Sequence, residues 1–206
     1  DAAGGTAVEP LYANKDDELD GGYRVIRVLG TGTTGRALRV QRADETLVMK
    51  VPVEPEYTTR LAEEARQLER VHAAGHDGCA HIVKTHGMPP IGGTEVLLLT
   101  DAGDTLADLL RQDGPPTLEY AQRWGGQLLQ ALDALETAGV LHRDVKPANI
   151  GVGGRAEHLK VRLKLFDFSL AAVRRESVGV GTEAYMDPWA PRRGRGDSAA
   201  DRYAAS

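Results

Sequence analysis

From Gly22 the chain sets apolar against polar positions at short intervals. YRVIRVLG (23–30) places Val and Ile against Arg, as a half-buried strand does. RALRVQ (36–41) and TLVMKVP (46–52) follow, with Ala43-Asp44-Glu45 as the turn between them. The simplest reading is three short antiparallel strands. Residues 57–74 then change period. Leu61, Ala65, Leu68 and His72 fall on one helical face, Val71 at its margin, and Gly75 is the stop. Glu64 lies inside that apolar stripe and Glu63 does not, so Glu64 needs a partner.

HIVKTHG (81–87) and TEVLLLT (94–100) read as two further strands around a Pro89-Pro90/Gly92-Gly93 turn. After Asp101 the pattern turns helical. TLADLLRQ (105–112) is short. Leu118 to Ala138 is long, with Trp124, Leu128, Leu132 and Leu135 on one side and Gly139 at its end. Short strands recur in VLHRDVKPANIGV (140–152) and LKLFDFSL (163–170), and the last stretch is Gly/Arg/Pro-rich and then Ala-rich. Strands first and helices second imply an α+β chain of two lobes with a cleft between them. The expected partition is a linker over 1–20, a sheet-bearing N-lobe over 21–101 and a mainly helical C-lobe over 102–206. LYAN (11–14) is expected to pack locally.

Composition narrows the class. The 206 residues are 41% hydrophobic and 27% charged, ordinary for a globular protein with a real core. A net charge of −5 argues against general nucleic-acid or anionic-membrane binding. No apolar stretch reaches membrane-spanning length. The single cysteine, Cys79, cannot form an internal disulfide and suits a reducing cytoplasm. The chain reads as a segment of a longer protein, with other domains as its partners.

Three patterns carry chemistry. LGTGTTGRALRV holds Gly30-Thr31-Gly32-Thr33-Thr34-Gly35. A dinucleotide site would need a helix directly afterwards, whereas here a strand follows, as in a hairpin that covers nucleotide phosphates. A plain Gly/Thr-rich hairpin is the competing reading. Lys50 ends the LVMK strand, and Glu64 is the acid that can hold it; the competing reading is a structural ion pair. The third and most specific pattern is His142-Arg143-Asp144-Val145-Lys146-Pro147-Ala148-Asn149, followed by Asp167-Phe168-Ser169.

In this order and spacing, residues 22–206 resemble the eukaryotic-type bacterial Ser/Thr protein kinases, a two-lobed fold whose N-lobe is a five-stranded antiparallel sheet with one helix. Ser169 in place of the usual glycine, and Asp187-Pro188-Trp189 in place of Ala-Pro-Glu, are similar to the PglW kinases of bacterial phage growth limitation, part of the BREX class of phage defence. The resemblance implies a C-lobe cut short before its last helices, and transfer of the ATP γ-phosphoryl to a protein Ser/Thr hydroxyl. Asp144 would orient the acceptor and take its proton, Lys146 would neutralise the transferring group, and Lys50 with Glu64 would hold the phosphates. Thr182 would bond to Asp144 and Lys146. Asn149 and Asp167 would bind magnesium, with manganese as the alternative ion. Asp201 would brace the catalytic-loop backbone.

The adenine would lie against Ala37 and Val48, with Ile150 or Val152 beneath it because Gly151 replaces an aliphatic residue. Backbone groups of Leu99-Thr100-Asp101-Ala102 would read its edge, with Thr100 and Ala102 as the contacts in a register open by one residue. Ser177 is the expected phosphosite, facing Arg143. Loss of the Ala-Pro-Glu acid implies loss of its buried arginine pairing. Ser169 narrows backbone freedom without removing the metal-binding aspartate.

Two other activities stay open: an ATP-binding pseudokinase and a small-molecule phosphotransferase, the latter disfavoured by Lys146 and Thr182. His72, His76, Cys79 and His81 crowd one loop, but their spacing matches no closed zinc module. RRGRG (192–196) reads as a solvated basic loop, and Trp124 and Trp189 as packing residues.

Overall fold

The structure is a computed structural model that describes residues 11–32, 34–153, 162–171, 180–188, 190–193 and 197–206. Thr33, Ser177, Trp189 and most of the RRGRG run lie outside the described residues. The chain forms two compact units, Asp1–Ala65 with Thr85–Asp101, and Arg66–Lys84 with Ala102–Ser206.

The first unit is built on an antiparallel sheet of strands β1 (Glu18–Leu19), β2 (Tyr23–Thr31), β3 (Gly35–Arg42) and β4 (Glu45–Pro52). Helix α1 (Thr58–Ala73) begins in this unit. A small hairpin of β5 (Pro90–Ile91) and β6 (Thr94–Glu95) precedes β7 (Leu97–Thr100), which completes the sheet in the order β1-β2-β3-β4-β7. The alternation of β2, β3 and β4 sorts side chains onto two faces. Val25, Leu38, Val40 and Met49 are all fully buried on one face, in a core shared with Ala13, Ile91 and Val96. Burying each such aliphatic side chain contributes about 1.5–3 kcal/mol.

The register puts Ala37 opposite Lys50, Lys50 opposite Leu97, and Val48 opposite Leu99. Directly opposed residues share a face, so Ala37, Val48, Lys50 and Leu99 line the face away from that core. The expected LYAN packing is present: Ala13 is 1% exposed and belongs to the core.

One expected strand is different. HIVKTHG forms no ladder and has only isolated bridges, Ile82 with Leu165 and Thr85 with Leu99. The segment changes partner between those residues, so neither pairing extends. The fifth strand of the sheet is instead β1, whose residues Glu18 and Leu19 oppose Arg24 and Tyr23.

The second unit contains α2 (Leu106–Asp113), α3 (Leu118–Ala138), the paired strands β8 (Ile150–Gly151) and β9 (Lys164–Leu165), and the helices α4 (Ala190–Arg193) and α5 (Ser198–Ala205). Thr105 caps α2 by accepting from Asp108 N at 3.0 Å. Helix α3 has the expected bounds and buries Trp124, Leu128, Leu132 and Leu135. Gly139 closes it in the left-handed conformation, φ 66°. Arg202 of α5 reaches Asp133 and Glu136 of α3, both at 2.7 Å. No described helix is long and apolar enough to cross a membrane.

The segment after β7 lies directly on β8. Gly153 N donates to Ala102 O at 3.3 Å and Val152 N to Asp104 O at 2.9 Å. A Cβ on Gly151 would sit 2.4 Å from both the Cβ and the carbonyl oxygen of Ala102. Glycine is therefore required at 151 by close backbone approach. Gly151→Leu is expected to lower stability by about 1–3 kcal/mol through overpacking. A urea midpoint equal to wild type would show that the two segments can separate freely.

Candidate functional site

In the first unit the glycine hairpin pairs Gly30 with Ala37 and Thr31 with Arg36, and Gly32 N donates to Gly35 O at 2.9 Å. Packing explains one of its glycines. A Cβ on Gly35 would meet Val51 O at 3.0 Å, whereas one on Gly30 would meet nothing within 4 Å. Neither Gly30 nor Gly32 has a positive φ. Their missing side chains leave backbone open at the hairpin without serving the fold.

Lys50 lies on the face shared with Ala37, Val48 and Leu99. Its Nζ donates to Glu64 Oε1 at 2.7 Å and to Oε2 at 2.9 Å. Glu64 is almost wholly buried, with 1% of its side chain exposed, as the apolar stripe of α1 required. The carboxylate fixes the ammonium from two sides. Glu64→Gln keeps the shape but replaces a charge-assisted contact by a neutral one. Its expected cost is about 2 kcal/mol, measured by denaturant unfolding. An unchanged midpoint would make the pair energetically idle. On the same face Arg39 pairs with Asp101 at 2.8 Å, a contact that sequence reading missed because nothing in the spacing joins residues so far apart.

In the second unit the octet 142–149 folds around Asp144. Thr182 N and Thr182 Oγ1 both donate to Asp144 Oδ1, at 2.9 and 2.6 Å. Lys146 Nζ lies 2.7 Å from Asp144 Oδ2, and Asn149 Nδ2 donates to the same oxygen at 3.0 Å. Lys146 also donates to Thr182 Oγ1 at 2.7 Å. All four predicted residues are therefore joined in one network. Burial pushes the Asp144 carboxyl up, but the hydrogen bonds from Lys146 and Thr182 and the Lys146 charge outweigh it, so its pKa lies below the ordinary value. Asp144 thus contributes stability that is present above the unfolded carboxylate pKa and is lost as pH falls through its folded value.

The backbone of this loop is held from behind. Asp201 accepts from His142 N and Arg143 N, both at 2.7 Å. Fully buried His142 bonds to Phe166 O through Nε2 at 2.8 Å and accepts from Asp144 N through Nδ1 at 3.2 Å, which assigns the proton to Nε2. Arg143 has a left-handed backbone, φ 71°. Gly181 was not singled out in the sequence. Its φ is 129°, and a Cβ there would lie 2.2 Å from Arg143 O. Only glycine can bring Thr182 to Asp144 on this path.

β9 leads into the Asp167-Phe168-Ser169 segment. Phe166 N donates to Asn149 O at 3.0 Å, and Asp167 follows directly with φ 64°. Phe168 is fully buried, edge-on to His142 with ring centroids 4.7 Å apart. Because Asn149 Nδ2 is engaged by Asp144, its Oδ1 is the oxygen left to a ligand. Asn149 and Asp167 are hard oxygen donors. Two such ligands are of the donor type that would suit a hard divalent cation.

A cavity of about 330 Å³ adjoins Asp144 and Thr182, with Leu141, Val145, Tyr185 and Met186 in its lining. Asp187 is 6% exposed and accepts from Arg193, which also pairs with Asp197 at 2.8 Å. Asp187 thus has a local ion-pair partner six residues on, an arginine that is exposed. Trp189, which stands at the position of the expected missing acid, lies outside the described residues.

The remaining predicted contacts are distributed as follows. Thr34 lies in the hairpin, Thr100 ends β7, and Ala102 belongs to the second unit, where its carbonyl accepts from Gly153. Ile150 is buried in β8. The histidines of the 72–81 loop serve structure: His72 Nε2 bonds to Val83 O at 3.0 Å, His76 Nδ1 accepts from Gly78 N at 3.0 Å, and His81 Nδ1 bonds to Leu163 O at 3.3 Å. Among the described residues no cluster of three His, Cys, Asp or Glu side chains could hold a metal.

Comparison with known proteins agrees with this geometry. The protein kinase domain family model matches residues 23–206. The probable kinase PglW of Streptomyces coelicolor is 33% identical over 96% of the chain, which spans 14% of that protein. The serine/threonine-protein kinase PknD of Mycobacterium tuberculosis is 33% identical over 89% of the chain, which spans 28% of it. A crystal structure of a kinase domain, 22% identical, superposes with a TM-score of 0.78 over 96% of this chain and 65% of the other.

Proposed function

The chain belongs to the protein kinase domain family, and on that premise we propose that it transfers the γ-phosphoryl group of ATP to a serine or threonine hydroxyl of a protein. The observation that carries this reading is the network around Asp144, in which Thr182, Lys146 and Asn149 all converge on one carboxylate. A carboxylate kept ionised by its neighbours can orient an acceptor hydroxyl and accept its proton. Lys146 would then neutralise the charge that develops on the transferred group. The hydroxyl of Thr182, already bonded to both, favours a Ser/Thr acceptor, and the adjoining cavity would receive an apolar residue of the substrate.

Lys50, steadied by Glu64, would bind the nucleotide phosphates. Gly30, Thr31, Gly32, Thr34 and Gly35 would cover them, with Thr33 between. That Gly30 and Gly32 lack a packing reason supports this role over a plain hairpin. Ala37, Val48, Leu99 and Ile150 would contact the adenine, and Thr100 and Ala102 would offer backbone groups. Asn149 and Asp167 would hold magnesium or manganese, which when bound neutralises phosphate charge. The similarity to PglW extends the proposal to a cytoplasmic role in phage defence for the whole protein, of which this chain would be the kinase part.

The test is incubation of the chain with γ-labelled ATP, magnesium and a protein acceptor, followed by phosphoamino-acid analysis. Label on serine or threonine, abolished by chelation of the metal, is the expected result. ATP binding with no transfer to any protein, and transfer to metabolites instead, would each overturn the reading.

A further inference from the structure

The segment before β2 does more than extend the sheet. Leu11 packs against the core of the first unit, and Ala13 is part of that core. The segment is pinned on its other side by Asp16 N to Val25 O at 2.8 Å and Val25 N to Asp17 O at 2.9 Å. Asn14 N donates to Asp17 Oδ2 at 2.7 Å, which closes a tight turn. Residues 11–14 are thereby delivered to one side chain, Arg36. Its guanidinium donates to Ala13 O and, at 3.3 Å, to Asn14 Oδ1. It also lies over the Tyr12 ring, 4.4 Å from the centroid, although Tyr12 is 77% exposed.

Arg36 occupies a particular place. It follows Gly35 and is paired across the hairpin with Thr31, so it forms the base of the glycine hairpin. Gly30 has no side-chain neighbour to fix it, and a Cβ on Gly32 would meet only the hairpin's own Gly35 O, at 3.7 Å. The hairpin therefore takes its position from its base. That base is paired with Pro52 and Val51 of β4 on one side, with Val53 N donating to Thr34 O at 3.4 Å, and is gripped through the Arg36 side chain by residues 12–14.

We propose that Arg36 is a positioning residue for the glycine hairpin and that residues 11–14 are the clamp that acts through it. The clamp sets how closely the hairpin backbone is held for a nucleotide, which rests on the kinase reading above. Because the grip consists of two donors and one ring contact, release of the segment before β2 would loosen the hairpin without unfolding the sheet.

The experiment is amide hydrogen exchange on this chain, together with steady-state kinetics. In Arg36→Ala the Gly32 amide, which donates to Gly35 O, is expected to exchange about tenfold faster, with Met49 in the buried sheet unchanged. KM for ATP is expected to rise about fivefold with kcat held within about twofold, the signature of lost ground-state positioning. Tyr12→Ala, which leaves Arg36 in place and removes an exposed ring, should reproduce the exchange effect in smaller degree. Arg36→Lys should fall between, since an ammonium cannot fork to two acceptors and stack at once. Unchanged Gly32 exchange in both alanine variants would overturn the clamp, as would equal acceleration at Met49, which marks general destabilisation. The kinase reading fails separately. If wild type transfers no phosphoryl group, accelerated Gly32 exchange still establishes the clamp. If transfer is normal and exchange is unmoved, only the clamp falls.

Discussion

Asp144→Asn should lower kcat by roughly 10²–10⁴-fold, the usual contribution of a positioned general base, while ATP affinity stays close to that of wild type. The network around Asp144 gives the reason for expecting so large an effect from so small a change. Asp144 accepts from four donors: two from Thr182 on Oδ1, and Lys146 with Asn149 on Oδ2. A carboxylate has about four lone-pair sites, so none is left over. An acceptor hydroxyl must therefore displace one donor. Lys146 is the natural one, since its side chain is 24% exposed and a transferring phosphoryl group offers it a stronger partner. Asparagine breaks this arrangement in either orientation. Its amide NH₂ must face Lys146 and Asn149, or else both Thr182 donors, and it cannot take a proton. The check is label transfer from ATP at saturating acceptor, with nucleotide affinity measured separately. Transfer by the variant equal to wild type would remove Asp144 from the chemistry, and weakened ATP binding in step with kcat would point to a collapsed loop.

What the sequence could reveal followed from local rules. The alternation in 23–30, 36–41 and 46–52 predicts β2, β3 and β4 because a strand's side-chain period is fixed by its backbone. The period of 57–74 places Glu64 on the buried face, and burial demands Lys50. The Leu118–Ala138 helix declares its end through Gly139. Contacts between residues of unlike spacing were not legible. LYANKDDELD has no period, so β1 and the grip on Arg36 could be found only in three dimensions. HIVKTHG looks like a strand because its residues are β-formers, yet it changes partner part-way, which composition does not encode. Gly181 appears ordinary in GVGTEAY until a Cβ is placed against Arg143 O. Asp187 finds Arg193 through a turn and a short helix, a spacing that no helical or strand rule connects. The candidate site was legible where one octet carries most of it, and illegible where its supports come from afar.

Asp201 is such a support, and its removal should give the largest loss of stability. It is 5% exposed, and each oxygen accepts one backbone N–H, from His142 and Arg143. Burial raises its pKa, and the two N–H donors and the charge of Arg143 pull against that rise. Asp201→Ala leaves two peptide donors without the acceptor the fold supplies, at about 1–3 kcal/mol each, so a loss of about 2–6 kcal/mol is expected. Asp201→Asn keeps one oxygen for one donor and turns an NH₂ toward the other, and it should fall between alanine and wild type. Since the folded pKa exceeds the unfolded one, wild type's margin over the Asn variant is greatest in acid and narrows as pH rises through that interval. The loss would reach the chemistry as well. Arg143 holds a left-handed backbone, a conformation that persists only when its surroundings impose it. Freed from Asp201, Arg143 can relax, and Asp144 next to it then leaves the Thr182–Lys146 network. Asp201 touches no reacting group, so kcat should fall with stability in the order Asp, Asn, Ala, and the KM for ATP should stay put. Urea midpoints and steady-state kinetics of the two variants decide it. Variants that unfold with wild type, or a KM that moves while kcat does not, would show that the loop is held by something else.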